Sequence, residues 1–139
     1  MPLRSTSTTV RTFDGLHLSG TLVTPNTQPD RAVVLVHGGG VTREEGGFFT
    51  RLSAGLCEAG VTSLRYDLRG HGESHGCQEE TTLSAHLNDI RVSLAHMCEA
   101  TGARRVVFFA RLDERCPRRK PLTCGFTPEV PRFLGQMAV

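Results

Sequence analysis

Three strand-like runs frame this chain, and the segments between them carry helical spacing. Ala32–Val36 (Ala-Val-Val-Leu-Val), Val61–Tyr66 (Val-Thr-Ser-Leu-Arg-Tyr) and Arg105–Ala110 (Arg-Val-Val-Phe-Phe-Ala) lack strict alternation and sit between turn residues. Such runs suit strands buried on both faces, as in a parallel sheet. Between the first two, Phe48, Leu52, Leu56 and Ala59 recur at three- and four-residue steps before Gly60. That spacing predicts a helix over 46–59 with this stripe laid on the sheet. Glu44 and Glu45 precede it as solvated side chains favoured by the helix dipole. Between the second and third runs, Leu83, Leu87, Ile90, Leu94 and Met97 step by 4, 3, 4 and 3. Thr81 or Thr82 can cap this second helix and Gly102 can close it. Upstream, Val10–Val23 reads as two short strands around Asp14-Gly15, a hairpin signal.

The predicted fold class is α/β: a mostly parallel sheet flanked by helices, with a leading β-hairpin. Residues 1–9, rich in Ser and Thr, are expected to be a flexible N-terminus, and residues 10–110 the α/β domain. Residues 111–139 change character, holding six of the sixteen Lys and Arg residues and four of the seven prolines. An irregular, basic, Pro-rich tail is the expectation there. The last predicted strand, 105–110, would then be an exposed apolar edge through which the chain could self-associate.

Bulk composition removes several function classes. A chain of 139 residues suits one domain, and a net charge of +2 gives no electrostatic case for nucleic acid or a membrane surface. Five cysteines, an odd number with no C-x-x-C pair, suggest neither a disulfide framework nor a zinc site, so no metal is expected. No apolar signal core lies in Met1–Val10 and no stretch reaches about 18 apolar residues. A reducing, cytoplasmic setting is the expectation.

The candidate chemistry lies where the first two runs end. His37-Gly38-Gly39-Gly40 follows the first, and a tight glycine turn can expose backbone N–H groups to an anion. The second ends in Arg65-Tyr66-Asp67-Leu68-Arg69-Gly70-His71-Gly72-Glu73-Ser74. In that order, on consecutive strands, these motifs resemble the N-terminal portion of the α/β-hydrolase superfamily, where an H-G-G-G element serves the oxyanion hole. The resemblance spans residues 10–110. It implies hydrolysis of an ester, thioester or amide in a small-molecule acyl substrate, without a cofactor. It also implies that the N–H groups of Gly39, Gly40 and Val41 face the oxyanion. His37 would fix the glycine loop, Asp67 and Arg69 would form an ion pair at the strand end, and His71 would belong to a structural turn.

The nucleophile does not follow. The family's G-x-S-x-G elbow should come after the third run, where the chain reads Ala110-Arg111-Leu112-Asp113-Glu114. That slot has no serine, cysteine or glycine pair, and Asp113 lies one residue beyond it. All six histidines (His17, His37, His71, His75, His86 and His96) come earlier, so none can be the late general base. A literal G-x-S-x-G occurs at Gly72-Glu73-Ser74-His75-Gly76, but the strand ends five residues before it and no helix starts directly after it. Ser74 is therefore read first as part of a turn and only second as a catalytic candidate. The basic run Arg115, Arg118, Arg119 and Lys120 lacks interleaved aromatics, which argues against nucleic acid. Three readings follow in order: a truncated or frameshifted serine hydrolase, inactive as given; a short non-catalytic binding or dimerising protein; and a hydrolase using Ser74.

Overall fold

The computed structural model describes residues 3–111 and 134–137. Strands β1 (Arg4–Arg11), β2 (His17–Thr24), β3 (Arg31–Val36), β4 (Thr62–Tyr66), β5 (Arg105–Ala110) and β6 (Leu134–Met137) form one sheet in the order β1-β2-β4-β3-β5-β6. Its centre is parallel, with β3 between β4 and β5. Its margins are antiparallel, through β1 with β2, β2 with β4, and β5 with β6. The architecture is that of a partial α/β-hydrolase fold with a leading hairpin.

Helices α1 (Phe48–Glu58) and α2 (Leu83–Thr101) supply the crossovers. Strand alternation assigns them opposite faces. Val34, Val36, Leu64, Tyr66 and Val106 cluster with Ile90, Leu94 and Met97 of α2. The intervening Arg65 and Phe109 instead meet Ser53 and Phe49 of α1. On α2, the Thr82 side chain accepts the Ala85 N–H, and Gly102 closes the helix in a left-handed conformation.

The structure corrects four expectations. The first strand begins at Arg4, so residues 4–9 are paired chain rather than a flexible terminus. Their polar pattern hides the strand because its side chains are largely exposed and its stability comes from the β2 ladder. On α1 the buried line is Phe49, Ser53 and Cys57, one residue out of phase with the apolar stripe, and Phe48 is exposed. Ser53 is drawn inward because its hydroxyl accepts from the buried Arg65 guanidinium at 3.1 Å. On α2, Leu83 and Leu87 remain exposed, and burial begins at Asp89 and Ile90. Finally, β5 is not a free edge: Val106–Phe109 pairs with β6. Self-association through β5 would have to displace that strand. The expected tail is thus strand at 134–137, while its other residues, including Asp113, Pro117, Pro121 and the run from Arg115 to Lys120, lie outside the described residues.

Candidate active site

Parallel strands β3, β4 and β5 bring their C-terminal ends to one edge, where open α/β sheets place their ligands. The glycine loop leaves β3 there. His37 is buried at its root, with Nδ1 2.7 Å from the Gly38 carbonyl and Nε2 accepting the Leu68 N–H at 2.9 Å. These partners define a neutral ring protonated on Nδ1, and burial lowers the pKa of His37 accordingly. One imidazole therefore joins the ends of β3 and β4.

Beyond it the loop turns outward. Gly40 has φ +80°, a conformation that side chains resist, and Gly39, Gly40 and Val41 are exposed. The Gly38 N–H donates to Glu45 Oε2 at 2.8 Å. The Gly40 N–H donates to His71 Nε2 at 3.2 Å, while His71 Nδ1 lies 3.0 Å from the Arg69 carbonyl. Among the described residues, the Gly39 and Val41 N–H groups have no hydrogen-bond partner. Donors of this kind can stabilise negative charge developing on a carbonyl oxygen. A substrate oxygen that used Gly40 as well would first have to displace His71.

The loop after β4 holds this arrangement in place. Asp67 is buried and accepts the Arg43 N–H at 2.8 Å, the Arg43 guanidinium at 3.2 Å and the Glu73 N–H at 3.0 Å. Gly72 passes so close that a Cβ there would lie 2.4 Å from Asp67 Oδ2. Arg69 makes two bonds to buried Asp89, at 2.6 and 2.7 Å, and two to Asp14, at 2.9 and 3.0 Å. The Arg69 guanidinium holds the Asp14 carboxyl well below the usual range, and Asp89 followed by Asp14 holds Arg69 more firmly protonated. This corrects the expected Asp67–Arg69 pair: each residue has a different partner, because the chain turns between them. Arg43, Asp14 and Asp89 escaped the sequence reading, since their bonds join segments 20 to 55 residues apart.

Ser74 is fully engaged in the turn. Its hydroxyl donates to the Asp67 carbonyl at 2.5 Å and accepts the Ser19 N–H at 2.9 Å. Its neighbour His75 instead stacks against His17, with centroids 5.5 Å apart. Among the described residues, Thr8 and His96 do form a hydroxyl–imidazole pair at 2.8 Å, but it joins β1 to α2 and no carboxylate hydrogen-bonds His96.

Glu45 is a second correction. Instead of pointing into solvent, it adopts φ +48°, an uncommon conformation for a residue with a side chain, and anchors the glycine loop. The following Gly46-Gly47 pair, also at positive φ, is the signal that could have revealed this tight turn. Past β5, the Arg111 N–H donates to the Val36 carbonyl at 2.9 Å. Its guanidinium lies 3.7 Å from Glu45 and 5.4 Å above the Phe48 ring. Arg111 is thus the last described residue of the stretch in which the resemblance placed the nucleophile elbow.

The sequence profile of the serine aminopeptidase, S33, family matches residues 27–111. Among curated proteins none matches the sequence. The fold is similar to that of the Pyrococcus furiosus esterase PF2001, at 20% identity and a TM-score of 0.68, over 78% of this chain and 40% of that one. It is also similar to Est1E from Butyrivibrio proteoclasticus, solved with ferulic acid bound, at 24% identity and a TM-score of 0.67, over 75% and 42% of the two chains. An Exiguobacterium antarcticum esterase aligns at 18% identity and a TM-score of 0.59, over 74% and 34%. This chain thus spans about two fifths of the length of the PF2001 esterase and of Est1E.

Proposed function

The chain belongs to the serine aminopeptidase, S33, family of hydrolases, and on that premise we propose that it carries the oxyanion side of a serine hydrolase site. The bonds concerned are esters, thioesters or amides of a small-molecule acyl substrate. The observation that carries this reading is the exposed glycine loop, whose Gly39 and Val41 N–H groups have no partner among the described residues and whose root is locked by His37. In the chemistry proposed, those N–H groups and a displaced Gly40 N–H would receive the carbonyl oxygen. His37, Asp67 and Arg69 would act only by holding the loops.

We further propose that the 139-residue chain does not turn over substrate, because its triad is incomplete. Two sequence facts support this: no serine follows Ser93 and no histidine follows His96. The compositional change after Ala110 supports a shift of reading frame at the elbow. A serine-reactive fluorophosphonate and a p-nitrophenyl ester test the first point; no covalent label and background hydrolysis are expected, and stoichiometric labelling would overturn it. Translating the other frames beyond codon 110 tests the second, which fails if no strand-compatible G-x-S-x-G appears. Metal ions and cofactors play no part in the proposal. No described helix is long and apolar enough to cross a membrane. A reducing cytoplasm is proposed as its setting, supported by the free thiols of Cys57, Cys77 and Cys98.

One observation favours the second reading, a short non-catalytic binding protein. Strand β6 takes part in the sheet by pairing along β5, which suits a tail selected together with the rest of the domain. Cooperative unfolding of a soluble 139-residue product, lost when residues 134–137 are deleted, would support it. Insoluble expression would count against it.

A further inference from the structure

Beside the glycine loop runs an open groove of about 280 Å³, bordered by Leu68, Gln78, Leu83, His86 and His71. His71 is shared: the imidazole that faces the groove also accepts the Gly40 N–H. The groove and the glycine loop therefore meet at His71. We propose that this groove receives the acyl arm of the substrate, and that the arm is short, uncharged and able to hydrogen-bond to an imidazole. This rests on the oxyanion reading of the glycine loop and adds the class of acyl group.

Charge and size fix that class. Arg69 borders the groove, but both of its sides are bonded to Asp89 and Asp14, so among the described residues that line it no cation is left for an anionic arm. His86, on the first turns of α2, makes no side-chain hydrogen bond among the described residues. Burial lowers its pKa, which keeps the ring neutral and able both to donate and to accept. Leu68 and the exposed Leu83 supply apolar wall. The volume lies just under the range of about 300–1,000 Å³ usual for small-molecule sites, which suits an arm smaller than a drug-sized ligand.

The test uses the whole chain and carboxylates that mimic the acyl product: acetate, butyrate and 4-hydroxybutyrate. Amide resonances of Gly39, Gly40 and Val41 report the loop, and the Leu83 methyls and His86 ring report the groove. The expectation is that all three ligands shift the loop amides. Only the two longer ones should shift the groove signals, with 4-hydroxybutyrate binding tightest. Leu83→Arg, at an exposed position, should weaken the longer ligands about tenfold and leave acetate unchanged. Loop shifts that are equal for all three ligands and indifferent to Leu83→Arg would overturn the groove assignment while the oxyanion reading stands. Silent loop amides with every ligand would overturn both, and groove shifts without loop shifts would show a pocket unconnected to the oxyanion site.

Discussion

The loop after β4 and Arg111, which directly follows β5, leave the same edge of the same sheet, yet they are held very differently. The β4 loop is tied by two buried carboxylates, one guanidinium with four charged bonds and a serine bridging two backbone groups. Among the described residues, Arg111 is tied by one backbone hydrogen bond, an ion pair at 3.7 Å from its half-exposed side chain to Glu45, and a ring contact with Phe48. Buried, multiply bonded polar groups impose a single geometry, because loss of any partner strands the others away from water. Exposed pairs impose little. The glycine loop and the β4 loop are therefore fixed by their own bonds, with little contributed by Arg111.

Arg69→Met should break this contrast most severely. It leaves Asp89 buried and unpaired, and about 3–5 kcal/mol of stability should disappear, read from the urea midpoint. A loss near zero would mean the β4 loop is no better fixed than the β5 exit. Ser74→Ala strands the Ser19 N–H and the Asp67 carbonyl at a cost of about 1–3 kcal/mol by the same measurement. It should leave fluorophosphonate reactivity unchanged, and loss of a label on this substitution would restore Ser74 as a nucleophile.

Acid should loosen the same side. His37 has a folded pKa below its ordinary value of 6.5, so the unfolded chain takes up the proton first. The contribution of His37 is complete above pH 6.5 and declines as the pH falls below it, by at most about 1.4 kcal/mol per pH unit for one proton. His37→Gln should flatten that slope in unfolding curves between pH 5 and 7. The Asp14 contribution is lost in a separate and lower window, below its ordinary value of 3.8. Arg111→Ala should have the smallest effect, under about 1 kcal/mol, because its own side chain is half exposed and its contact with Glu45 is long, at 3.7 Å. A loss matching that of Arg69→Met would erase the distinction between the two exits.

The order of strands and helices within residues 10–110, a threonine cap at 81 or 82, the Gly102 cap and the two turn-forming motifs were legible, because each depends on neighbours within about one helical turn or one strand. The out-of-phase face of α1 was not. It is chosen by Arg65 and Phe109, which reach α1 only once β4 and β5 flank β3.

The sequence by itself determined that a glycine loop would follow a buried strand and that residues 111–139 would bring no serine to it, since composition and local turn chemistry need no partners. Only the tertiary structure decided what each polar side chain does: Asp67 to Arg43, Arg69 to Asp89 and Asp14, Ser74 to Ser19, and Glu45 and His71 onto the glycine N–H groups. The physical reason is distance along the chain. A charged or hydroxyl group takes whatever partner folding brings within about 3 Å, and no spacing rule encodes that choice.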